Sequence, residues 1–446
     1  MKNTSLRHAW LDPVPALLAV GCLALSTNVS AQNVKPPKVQ LWMDVSTGTM
    51  AGMPEMDMSS GVGGLMAGMM GGGGPAGGNT TYGMARSMNI MPPRVLDIAL
   101  HNTRKPGVEA SQVIPPGMRM GDRLPLVPPK AQAVREREPG DMGEHKPETP
   151  KGRILVYWGC GERVRAGQPR IVDLARGNPA EFGTALAGRH APDRGARVSP
   201  AYALFPNEKN RVSLARESSL AGDHQVVGDG LPASMRFTLG AAQDVMPAIE
   251  LQSSGSVTDS IASSWRPVTN ARAYYLHAMG KVGDDFVLWS SAETGDTGMG
   301  MFDYLPNATI DRWLKDRVLL QPDVTQCAIP KGIFAGPGGR GGEGGMLRMM
   351  AYGPESNFAH PPRPADPKAV WEPEWAVRVR VKSHTMAMLG ESSGGGRSSG
   401  AAERSQPSGG QSGMPSGGQP GGQPEQEAAE SLLPNPAGLL KGLFGR

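Results

Sequence analysis

Apolar and polar residues alternate through much of the chain, which is the pattern of half-buried β-strands. Over 39–45 the alternation places Val39, Leu41, Met43 and Val45 on one face, and a second strand is predicted over 94–100. The near-continuous apolar run over 152–158, ending at Gly159-Cys160-Gly161, is the strongest buried-strand signal. Further strands are predicted over 235–239, 248–251, 256–265, 271–279 and 286–290, then over 318–320, 325–329 and 375–381. One helix is predicted over 307–316, with Asn307 as its cap and Ile310, Trp313 and Leu314 facing the sheet. Pro-punctuated extended edges follow at 114–116 and 124–129, and 167–231 reads as irregular with a short helix over 179–186. Regularly spaced short strands with turn residues between them predict a mainly β fold, a β-sandwich body.

Composition breaks this pattern into segments. The chain has 446 residues, of which 61 are Gly and 41 Pro, so its length overstates its packed part. Residues 32–130 read as a small β subdomain interrupted by a disordered Met/Gly-rich loop over 50–83. Residues 131–151 read as a charged, Pro-rich linker, and 152–389 as a β-rich domain with a disordered Gly loop over 335–345. Residues 390–431 form a Gly/Ser/Gln/Pro tether, and 432–446 a short amphipathic tail in which Leu439, Leu440, Leu443 and Phe444 share a face.

The first 31 residues carry an export signal: Lys2 and Arg7, an apolar run over 14–25, then Val29-Ser30-Ala31, which places the cut after Ala31. Ala19-Val20-Gly21-Cys22 offers the alternative of a lipoprotein anchored at Cys22. Export leaves Cys160 and Cys327 in a compartment that permits oxidation, so they are the candidate disulfide, with two separate buried thiols as the other possibility.

Candidate chemistry is sparse. Met50, Met53, Met56 and Met58 form a run of soft thioethers suited to Cu(I), which makes copper the one candidate cofactor. The cluster over 336–345 lacks the Lys and Ser/Thr of a phosphate loop. Histidines stand singly, without zinc-ligand spacing, and no G-x-S-x-G occurs. Asp284, Asp285, Glu293, Asp296 and Asp303 sit in turn-rich sequence and read as solvated carboxylates, with calcium binding or acid–base work as the alternative. A net charge of +4 with both signs dispersed argues against nucleic acid as a partner.

The stretch Ser264-Trp265-Arg266-Pro267-Val268-Thr269-Asn270-Ala271-Arg272-Ala273-Tyr274-Tyr275-Leu276 resembles the second and third strands of fibronectin type III and related immunoglobulin-like domains. The resemblance covers 264–276 and implies an immunoglobulin-like sandwich, with Trp265 in its core and Pro267 and Asn270 at a turn. It implies no activity. The expected protein is a non-enzymatic, exported envelope protein that contacts another envelope protein or a membrane surface through its tail. The alternative is a periplasmic copper-binding protein using the Met-rich loop.

Overall fold

The computed structural model describes residues 34–53, 82–130, 152–174, 188–336, 345–366 and 368–389. The signal segment, Cys22, Met56, Met58, the 131–151 linker, the 179–186 helix, and the tether and tail lie outside these residues.

Among the described residues the fold is mainly β. In chain order the strands are β1 (Val39–Met50), β2 (Arg94–Asn102), β3 (Ala110–Val113), β4 (Arg123–Leu126), β5 (Arg153–Trp158), β6 (Arg170–Asp173), β7 (Tyr202–Phe205) and β8 (Gly222–Gly228). There follow β9 (Arg236–Leu239), β10 (Leu251–Ser254), β11 (Ile261–Trp265), β12 (Ala273–Val282), β13 (Asp285–Ser290), helix α1 (Asn307–Lys315), β14 (Gln326–Ile329), β15 (Gly345–His360) and β16 (Trp375–Leu389). A nine-stranded sheet has the order β6-β5-β13-β12-β15-β16-β1-β2-β7; a three-stranded sheet has β10-β11-β14, and a four-stranded sheet β4-β3-β8-β9. Neighbours are antiparallel except for β1 with β16 and β5 with β13.

One face of the large sheet supplies the main core. Val39, Leu41, Met43 and Val45 share it, as their alternation predicts, with Leu347, Met349, Val377 and Val379 beside them. They pack with Phe237 and Leu239 of the four-stranded sheet and Ile261 and Trp265 of the three-stranded sheet. The second face is covered at one side by α1, whose Ile310 and Trp313 meet Tyr275, Met350 and Tyr352.

Several boundaries differ from the sequence pattern. The pattern divides the chain at 131–151, but the nine-stranded sheet takes strands from both sides of that division. Residues 167–231, expected to be irregular, contain β6, β7 and β8. Asn307 is the first helical residue and Pro306 the cap. The Asn307 side chain instead accepts from the Glu355 N–H (3.0 Å) and donates to the Glu355 carbonyl (2.8 Å), tying α1 to β15. The strand β15 was hidden in sequence by Gly353-Pro354. These residues fall where the β15–β16 register shifts between Tyr352 and Glu355, the one kind of place where an interior strand tolerates Pro.

Cys160 and Cys327 form a disulfide across a sequence separation of 167, joining the end of β5 in the large sheet to β14 in the small one. The turn at Cys160 needs its glycine: Gly159 has φ of 91°, and its carbonyl accepts from Trp289 Nε1 at 3.1 Å. A loop of that length gives about 5 kcal/mol of stability in the chain-entropy model. Titration of the denatured, unreduced protein from residue 32 onward is expected to find no free thiol. The Cys160→Ser/Cys327→Ser variant is expected to lose about 5 kcal/mol in urea unfolding. Two reactive thiols in the denatured, unreduced protein would contradict the bridge.

Candidate functional site

Chemistry-bearing side chains collect on the second face of the large sheet, and strand register explains why. Parallel pairing aligns Trp42 with Arg378, Asp44 with Arg380, Ser46 with Lys382, Gly48 with His384 and Met50 with Met386. On the other side of β1, Asp97 of β2 lies opposite Asp44. On the other side of β16, the register shift in β15 turns Glu355 to face Arg380. The result is a row across four strands: Asp97, Asp44, Arg380 and Glu355, all buried.

The centre of this row is a closed ion pair. Asp44 and Arg380 are each about 2–3% exposed and bonded in two places, Nε to Oδ1 at 2.7 Å and Nη2 to Oδ2 at 2.5 Å. Burial works against the charge on Arg380, but the attraction and hydrogen bonding of Asp44 raise its pKa above the usual value. Among the described residues, Lys382 has no carboxylate at ion-pair distance. Its Nζ donates to the carbonyls of Phe302 (2.9 Å), Arg86 (3.0 Å) and Ser87 (3.3 Å). Burial lowers its pKa to about 8, so it stays protonated at neutral pH. The Tyr304 ring lies against both cations, 4.5 Å from the Arg380 guanidinium and 4.8 Å from Lys382 Nζ. Burial raises the Tyr304 pKa well above its usual value.

The covering loops are fastened by the same charges. Asp97 accepts from the backbone N–H groups of Gly83 (3.0 Å) and Ala85 (2.8 Å). Arg86 bridges Asp303 (2.5 Å) and Asp193 (2.8 Å). His384 donates from Nε2 to the Asn89 carbonyl at 2.8 Å and accepts from Ser46. Gly48 makes that approach possible, because a Cβ there would stand 1.9 Å from the Asn89 oxygen. The cluster therefore acts as a clamp in which Asp44, Arg380, Lys382, Asp97 and Arg86 are bonded to each other or to the covering loops.

The sequence-predicted residues scatter. Met50 ends β1 half-buried and Met53 is 40% exposed just beyond it, while Met56 and Met58 lie outside the described residues. Of the five carboxylates, Asp285 pairs with Arg153, Glu293 with Arg165, Asp296 with Arg189 and Asp303 with Arg86. Among the described residues, no three His, Cys, Asp or Glu side chains are placed to hold a metal ion. The sequence predicts a strand over 375–381 but not the Asp44–Arg380 row, because the alternation of Arg378, Arg380 and Lys382 with Val does not by itself tell a buried polar face from a solvated one. Three like charges on one strand face did carry a signal, since burial of that face would demand a countercharge.

Two predictions test this account. Asp44→Asn removes the carboxylate bonded to the buried Arg380 and is expected to cost about 3–5 kcal/mol in urea unfolding, while Asp44→Leu/Arg380→Leu recovers part of that loss. Burial, with repulsion from Arg348 and Lys382 respectively, lowers the pKa of both His277 and His384 to about 3. The unfolded chain binds these protons near pH 6.5 and the folded chain does not. Stability therefore falls as pH drops from about 6.5 towards 3, by up to about 1.4 kcal/mol per pH unit for each histidine. His384→Gln is expected to flatten the pH 4–6 slope of the unfolding free energy by about one proton's worth; an unchanged slope contradicts it.

The chain matches no protein-family model, no curated protein and no solved structure.

Proposed function

We propose that this is a non-enzymatic, exported envelope protein with a binding or structural role. The observation that carries this reading is the use made of the second face. Its ionic groups are buried against each other and against backbone carbonyls, and so hold loops to a sheet instead of presenting a reactive group to a substrate. The Cys160–Cys327 bridge supports an oxidising compartment. Among the described residues, no helix is long and apolar enough to cross a membrane. The edge-to-face packing of Trp265 on Tyr274, with ring centroids 5.5 Å apart, supports the immunoglobulin-like reading of 264–276, as does the Tyr274 hydroxyl accepting from the Val268 N–H at 2.9 Å. In this proposal the amphipathic tail over 432–446 contacts an envelope protein or a membrane surface.

Copper handling is the second reading. It gains support from the register that sets Met50 beside Met386, so that the start of the Met-rich run adjoins another thioether on the sheet.

Intact-mass analysis of the protein from fractionated cells is expected to find an oxidised chain beginning at Gln32 in the envelope fraction. A lipid-modified chain beginning at Cys22 would mark the lipoprotein alternative. An unprocessed, reduced chain in the cytoplasm would overturn export. Deletion of 432–446 is expected to abolish retention of envelope partners in a pull-down; unchanged retention would remove the role of the tail.

A further inference from the structure

Beyond the ionic clamp, the same face of the large sheet changes character. Towards the end where β1 and β16 finish and β15 begins, five adjoining positions are methionine. Register places Met50 beside Met386 and Met388 opposite Met346, and Met346 in turn opposite Met279. Met50, Met386, Met388, Met346 and Met279 thus tile one patch across four strands.

Met279 packs against the small core of Ile154, Val156 and Leu288, but the other four belong to no core cluster among the described residues. Methionine usually fills gaps in an interior, yet Met388 is 58% exposed and Met50, Met279, Met346 and Met386 are only half-buried. Directly opposed Cβ atoms on neighbouring strands stand about 4.5–5.5 Å apart, and alternate residues of one strand about 7 Å. Each sulfur lies two flexible bonds beyond its Cβ, so the thioethers of Met346, Met386 and Met388 can meet at one point above the sheet.

The neighbouring charge is directed away from that point. Arg348, which pairs with Met386 in register, lays its guanidinium 5.0 Å from the centre of the Phe302 ring and brings Nη2 to 2.9 Å from Met279 Sδ. It leans towards β12 and engages Met279. Neutral thioethers are poor ligands for Zn²⁺, Mg²⁺ or Ca²⁺ and good ones for soft monovalent ions.

We propose that Met346, Met386 and Met388, with Met50 alongside, form a thioether site for a soft monovalent cation of the Cu(I) class on the face of the sheet. The site deepens the copper reading given above and rests on its chemistry, but it uses ordered sheet residues in place of Met53, Met56 and Met58.

The test is anaerobic titration of the chain from residue 32 onward with Cu(I) against a chromophoric Cu(I) chelator, with Zn²⁺ as the hard-ion control. One Cu(I) per chain is expected, bound more tightly than about 1 μM, with no Zn²⁺ at this patch. The Met346→Leu/Met386→Leu/Met388→Leu variant is expected to weaken Cu(I) binding by on the order of tenfold or more, whereas Met53→Leu/Met56→Leu/Met58→Leu leaves it unchanged. If the loop variant loses binding and the sheet variant keeps it, the sheet site is overturned and the loop reading stands. If the unsubstituted protein binds no Cu(I) at this strength, both fall. If the sheet variant does not fold, the unsubstituted protein labelled with ¹³C at its methionine methyls decides. Added Ag(I) is expected to shift the resonances of Met346, Met386 and Met388, and unshifted resonances there overturn the proposal.

Discussion

The large sheet depends on the parallel pairing of β1 with β16, an alignment that runs from Val39 beside Trp375 to Met50 beside Met386. The two strands lie inside the sheet, between β15 and β2, and come from opposite ends of the described chain. Such a contact closes a loop of more than three hundred residues before it returns any stabilisation, so it must be specified strongly once formed. Apolar alternation supplies one part of that specification. Val39, Leu41, Met43 and Val45 must face the smaller sheets together with Val377, Val379 and Val381. A one-residue slip of either strand would turn its apolar set out of the core and its charges into it.

The Asp44–Arg380 pair supplies the other part. Buried ion pairs contribute little net stability against an apolar replacement, but an unpaired buried charge is strongly destabilising. A slip of two residues keeps every side chain on its proper face and so escapes the apolar constraint. It would, however, set Arg380 beside Trp42 or Ser46, without its bonded carboxylate, while Asp44 would face Arg378 or Lys382 instead. The ionic row thus discriminates among registers that hydrophobicity alone cannot separate, while Lys382 and Arg86 extend the same constraint to the loops above.

Function divides along the same face. Where loops cover the sheet, the buried Asp44–Arg380 pair and Lys382 bond within the fold; where the strands run past those loops, the residues become methionine and are half-buried or exposed. Strand pairing holds the thioethers in register, and the disulfide adds a tie between sheets that does not compete for them. The clamp fixes the backbone, and the open end offers side chains to a ligand.

Sequence alone determined the mainly β character, because alternation is a local property. Val39–Val45, the run ending at Trp158, the turn at Asn270 and the apolar stripe of α1 all follow from neighbouring residues. Cys160 and Cys327 were identifiable as a candidate pair because the sequence holds three cysteines and the third, Cys22, falls in the segment that reads as a signal. Only the tertiary structure decided the rest. β15 was concealed by Gly353-Pro354, a break in local pattern that a register shift absorbs. The joining of residues 32–130 with 152–389 in one sheet could not be read from a linker's composition. The charges of β16 look solvated until β1 is laid beside them, and Met386 and Met388 look unrelated to Met50 and Met346. Alternation says which residues share a face of one strand, but only strand order and register say which strands share a sheet, and ion pairs and ligand clusters are made between strands.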